Sequence, residues 1–102
     1  MSDDLIIKVL TTPNGKLIAV CDPELLGKTF EEGDRQLDLS AQFYQGEPKP
    51  KDQIEEILKD AYVVNAVGKR STALLIELEM IEPDHILKVD NIPSAQCVVE
   101  RS

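Results

Sequence analysis

Apolar residues fall along this chain in short, separated runs, and their spacing changes between the period of two that marks strands and the 3.6 that marks helices. Leu5 to Leu10 (LIIKVL) and Lys16 to Cys21 (KLIAVC) are rich in β-branched residues and read as strands. Between them stands Thr12-Pro13-Asn14-Gly15, where Asn-Gly supplies the positive φ angles of a tight hairpin turn. After Asp22-Pro23, the segment Glu24 to Gly27 makes one helical turn stopped by glycine. Arg35 to Ser40 alternates polar and apolar residues, with Leu37 and Leu39 on one face, as a half-buried strand does. The prolines of Gly46-Glu47-Pro48-Lys49-Pro50 keep a loop extended, and this loop is the one hinge in view.

The same reading predicts two helices. Asp52 to Ala61 sets Ile54, Ile57, Leu58 and Ala61 on one stripe, behind a capping-box-like pair, Asp52 and Glu55. Lys69 to Ile81 sets Leu74, Leu75, Leu78 and Ile81 on its main face; Ala73, Ile76 and Met80 carry apolar character further round, so this is the more buried helix. Pro83 ends it. Between the helices, Tyr62 to Val67 (YVVNAV) is a buried strand with Asn65 as its one polar member. Two last strands fit His85 to Val89 and Gln96 to Glu100, around the turn Asp90-Asn91-Ile92-Pro93. Strand, strand, strand, helix, strand, helix, strand, strand is not the regular alternation of a doubly wound parallel sheet. It predicts a single α+β domain over residues 1–102, a two-layer sandwich whose mixed β-sheet is opened by the N-terminal hairpin and carries both helices on one face.

Composition narrows the function classes. With 102 residues, 42% of them hydrophobic, the chain closes one core without needing disulfides or metal. Its 11 Lys+Arg against 19 Asp+Glu leave a net charge of −8, which opposes both non-specific nucleic-acid binding and attraction to anionic membrane. No signal-peptide pattern and no long apolar run is present, so the expectation is a cytoplasmic protein without membrane contact. Cys21, Cys97 and the single histidine, His85, do not assemble a zinc site, and no metal or cofactor is expected. Both thiols are expected in the core of a protein from a reducing compartment. The aromatics, Phe30, Phe43, Tyr44 and Tyr62, are expected in the core as well; they do not interleave with basic residues as a single-strand stacking platform would.

Two glycine turns hold the chemistry that remains. Asp22 to Thr29 is one residue short of the phosphate-loop pattern, with Asp22 where the first glycine belongs; a carboxylate there opposes a polyphosphate. Cys21 beside Asp22 is no activated nucleophile, because a neighbouring carboxylate raises a thiol's pKa. Val67-Gly68-Lys69-Arg70-Ser71-Thr72 runs from a strand into a helix whose first turn carries two cations and two hydroxyls. Such a junction seeks anions, so an anion, phosphate or acidic-partner site is expected there.

The stretch Cys21-Asp22-Pro23-Glu24-Leu25-Leu26-Gly27-Lys28-Thr29-Phe30 resembles the signature of a family of small archaeal proteins, domain of unknown function 424. The resemblance extends to the Asn-Gly hairpin, Phe43-Tyr44-Gln45-Gly46, Asn65-Ala66-Val67-Gly68 and Pro93-Ser94-Ala95-Gln96. It implies an archaeal cytoplasmic protein of small α+β fold, without an established activity, cofactor or catalytic residue. The family often has a histidine where Ser94 stands here.

Two functional readings stand side by side. In the first, the chain is a non-enzymatic binding or accessory module, associated with translation or RNA. It meets a basic protein surface or a local phosphate through Asp22, Glu24, Gly27, Lys28, Asn65, Gly68, Lys69, Arg70 and Gln96. In the second it is a small enzyme for a phosphorylated or carboxylated substrate, with Lys28, Lys69 and Arg70 holding the anion and Asp22 or Glu24 as acid/base.

Overall fold

The computed structural model describes residues 4–38 and 46–99. Strands β1 (Leu5–Thr12) and β2 (Gly15–Cys21) form the expected hairpin, with Thr12 opposite Gly15. Its turn is not the mirror-image type. Proline fixes φ near about −65°, so Pro13 cannot take a positive angle, and the positive φ falls on Gly15 alone, at 137°.

The polar stretch after β2 holds a 3-10 turn (Pro23–Leu25) and a separate hairpin of β3 (Thr29–Glu32) and β4 (Arg35–Asp38). Leu39 and Ser40 of the expected strand, with Phe43 and Tyr44, lie outside the described residues. The expected hinge is instead β5 (Glu47–Lys49), which pairs with Leu5 to Ile7. Its prolines favour extended backbone, and Pro48 lacks a ladder donor, which suits a strand at the sheet's edge.

Helix α1 (Lys51–Leu58) starts one residue before the expected Asp52, and the Asp52/Glu55 capping pair does not form. Gln53 and Ile54 donate to the Pro50 carbonyl at 3.1 Å each, and Ala61 already belongs to β6 (Ala61–Val67). Helix α2 (Lys69–Glu77) ends four residues before Ile81. Met80 N–H reaches back to the Leu75 carbonyl at 2.9 Å and Glu79 N–H to Ile76 at 3.0 Å, with Glu79 at φ 60°. This is a Schellman stop without its usual glycine, so no residue type announces it. The last hairpin joins β7 (Leu87–Val89) to β8 (Ile92–Val98) through Asp90 and Asn91, both at positive φ. The final strand thus begins at Ile92, not Gln96. Pro93 fits inside it because the group its nitrogen would address, the Gly68 carbonyl, is taken by Thr72 at the start of α2.

The six strands lie in the order β5-β1-β2-β6-β8-β7, with β2 and β6 parallel and every other pair antiparallel. The fold is α+β, as its pattern implies. Leu5, Ile7, Ile18, Val20, Val64 and Ala66 point to one face and pack against Ile54 and Leu58 of α1 and Leu74 and Leu75 of α2. On the other face a smaller cluster of Ile6, Cys21 and Val67 is roofed by Leu25, Leu26 and Phe30. The 3-10 turn and β3 therefore add a partial third layer to the expected two. Tyr62 departs from its expected place in the core and is 43% exposed. Among the described residues, no helix is long and apolar enough to cross a membrane.

Candidate functional site

Parallel strands β2 and β6 end side by side, Cys21 against Val67. From there the chain departs to opposite faces: after Cys21 into the turn that roofs the helix-free face, after Val67 into α2. In open α/β sheets such a divergence leaves a crevice at the strand ends, the usual place for a ligand. Here the side chain of Asp22 fills it. Asp22 is only 2% exposed. Its Oδ1 accepts from Ser71 N–H at 2.8 Å and Ser71 Oγ–H at 2.7 Å, and its Oδ2 accepts from Arg70 N–H at 3.0 Å. Its own N–H donates to the Val67 carbonyl at 3.1 Å.

Asp22 thus does, from a distant part of the chain, what an N-cap residue does locally: it satisfies first-turn N–H groups and sets a negative charge at the positive end of the helix. Gly68 occupies the N-cap position at φ 111° and makes no side-chain cap bond. A Cβ there would collide with the Asp22 carboxyl carbon. The pair is complementary, since the missing side chain is the space in which the carboxylate sits.

The rim of this junction is exposed. Arg70 pairs with Glu24 at 3.0 Å, and Lys69 points to solvent. Gly27, at φ 85°, closes the 3-10 turn; Lys28 follows it with an exposed side chain, its N–H bonded to the Leu25 carbonyl at 3.1 Å. Asp22, Arg70 and Glu24 are therefore joined by direct bonds and Gly68 packs against the Asp22 carboxylate, whereas Lys28 bonds none of them among the described residues. The Cys21 thiol donates to the Asp22 carbonyl at 3.2 Å. Burial, aided by the charges of Asp22 and Glu24, pushes its pKa up to about 12, so it stays protonated. Burial also raises the Cys97 thiol.

Asn65 and Gln96, the remaining predicted residues, lie directly opposite each other on β6 and β8. Val99 N–H to Tyr62 O and Gly68 N–H to Pro93 O, both 2.8 Å, set the alternation of this ladder. By that alternation Asn65 and Gln96 form a non-hydrogen-bonded pair, the kind whose side chains approach most closely. They are on the helix-free face, in a groove of about 320 Å³ whose lining also includes Val67, Ser94, His85 and Leu87. Neither side-chain amide bonds another described residue. Asparagine is disfavoured in strands, so its place in the middle of YVVNAV asks for a use. Ser94 belongs to the same groove.

Sequence reading did not place His85 and Ser94 in a site. The turn Pro83–His85 folds Glu82, Asp84 and His85 together at the groove's end, their potential ligand atoms within 4.8 Å of one another and all three residues exposed. These are the described residues that could hold a cation, and their only sequence signal is a carboxylate, carboxylate, imidazole spacing around a proline. A wider hollow of about 650 Å³ at the other end of the sheet, lined in part by Asn14, Asp60, Tyr62 and Val98, includes none of the candidate binding residues named from sequence.

A crystal structure of an uncharacterized conserved protein from Methanopyrus kandleri superposes with a TM-score of 0.80 at 22% identity, covering 97% of this chain and 95% of that one. At that identity the likeness establishes the shared fold. No curated protein matches. The family model described as "Protein of unknown function (DUF424)" matches residues 10–99, nearly the whole chain, and the protein therefore belongs to this family.

Proposed function

We propose that this protein is a binding module that recognises its partner through the helix-free face of the sheet, in the groove floored by Asn65, Ser94 and Gln96. One contrast carries the reading: the anion-seeking start of α2 is satisfied by the chain's own Asp22, while the opposed amides of Asn65 and Gln96 bond nothing described. Side-chain amides offer paired donors and acceptors in a fixed plane, the equipment of recognition. The enzyme reading needs a carboxylate that a substrate can reach and that no partner within the fold already holds. Asp22 has both oxygens engaged, and Glu24 is held by Arg70. The thiol of Cys21, protonated up to about pH 12, offers no nucleophile either. The free thiols of Cys21 and Cys97 accord with a cytoplasmic home.

Affinity capture from a native archaeal lysate, with and without nuclease, tests the reading on two variants. Asn65→Val/Gln96→Val should lose the partners that wild type retains, and Lys28→Glu/Lys69→Glu/Arg70→Glu should keep them. The reverse pattern would move recognition to the junction rim. Loss of wild-type partners on nuclease treatment would identify the contact as mediated by RNA.

A further inference from the structure

Strand β8 is paired with β6 through to its last residue, but on its other side the pairing stops halfway. Its pairing with β6 runs from Ser94 to Val98, but its pairing with β7 ends at Leu87 opposite Ser94. The inward bonds at Pro93 and Val99 fix the alternation, so the backbone groups of Gln96 and Val98 face away from β6. No backbone bond among the described residues meets them. Apolar side chains flank this stretch, Val98 at 54% and Leu87 at 58% exposed. The opposite edge of the sheet is guarded, because β5 is three residues long and carries Pro48 between Glu47 and Lys49. Among the described residues nothing comparable guards β8 beyond Ser94.

We infer that the open edge of β8 takes an extended, basic peptide segment as an added strand. This rests on the groove reading above and names the partner's chemistry. Main-chain bonds to Gln96 and Val98 supply affinity, and alternate side chains of the incoming strand meet the Asn65–Gln96 floor, the division of labour in strand addition. Charge decides the occupant. Glu82 and Asp84, both exposed, stand in the turn leading into β7, and His85 of the same turn lines the groove with Gln96. A second copy of the chain would bring its own −8 against this face. Lysines and arginines on an extended segment complement it.

The probe is an alternating lysine–valine octapeptide, followed by amide NMR on the full chain. Binding should protect the Gln96 and Val98 amides from exchange. Glu82→Lys/Asp84→Lys should weaken it about tenfold, from the loss of two exposed attractions and their reversal. Val98→Pro removes an outward donor and no bond to β6, so it should abolish peptide binding while the remaining amide spectrum stays native. An alternating glutamate–valine peptide should not bind. Peptide binding that leaves Gln96 and Val98 unprotected overturns the proposal, as does a stable dimer of the chain that buries this edge. If Val98→Pro retains the captured partner while Asn65→Val/Gln96→Val loses it, strand addition fails and the groove reading stands. If both variants retain it, both fail.

Discussion

The junction at the ends of β2 and β6 and the groove on the helix-free face lie in the same sheet, yet their polar groups have opposite fates. At the junction the N–H groups of Arg70 and Ser71 are matched to Asp22 and the Arg70 guanidinium to Glu24, while Lys28 and Lys69 stay on the exposed rim. In the groove, two amides face each other across neighbouring strands and bond nothing described. Of the residues that look most chemical in the sequence, Asp22 of the near phosphate loop and Arg70 of the cationic helix start are taken up by bonds within the fold. The quieter ones, a lone asparagine in an apolar strand and the glutamine opposite, keep their side-chain amides unbonded among the described residues. A buried polar group is costly unless satisfied, so a fold consumes its own strongest donors and acceptors first, and function is sought among the remainder.

This contrast can be broken at either region. The largest effect should come from Asp22→Ala, which strands the donors of Arg70 and Ser71 in a buried site and costs about 3–5 kcal/mol in urea unfolding. Gly68→Ala, which drives a methyl into the same carboxylate from a positive-φ position, should cost about 2 kcal/mol or more. If the two faults are one, the double variant will cost clearly less than the sum of the single ones.

Alkaline pH gives a second handle. The thiol of Cys21 ionises near 9.0 in the unfolded chain and about 12 in the folded one. Between those values the unfolded state loses a proton that the folded state keeps, so stability falls as pH rises above about 9. Cys21→Ala should flatten that part of the unfolding profile.

At the rim, Arg70→Ala removes one exposed ion pair and should cost less than about 1 kcal/mol, the backbone N–H of residue 70 still reaching Asp22. Smallest of all in stability, Asn65→Val/Gln96→Val should shift the unfolding free energy by no more than about 0.5 kcal/mol, in either direction, while removing partner capture. A large loss of stability in that pair would mean the amides belong to the fold after all.

Periodicity made the two long strands, both helices and the mixed character of the sheet legible, because each of those elements buries one face and repeats its pattern long enough to be read. What periodicity missed was decided elsewhere. Strand β5 is hidden by prolines that also suit a loop, and only the neighbouring strand β1 makes it a strand. Helix α2 stops at an αL glutamate, although Leu78, Met80 and Ile81 continue the apolar stripe and still pack on the core. The start of α2 at Gly68 was legible as a junction, but the residue that caps it, Asp22, lies just past the end of β2, and no local spacing joins Asp22 to Ser71. Asn65 was visible as the one polar member of its strand; that Gln96 faces it depended on the register with β8.

The most direct test of this division is a titration of the wild-type protein with inorganic phosphate, followed through its backbone amides. If Asp22 is the anion of the α2 start, the Arg70 and Ser71 amide signals will stay fixed across the series. Saturable shifts of those two signals would show the junction open to an outside anion and contradict the account.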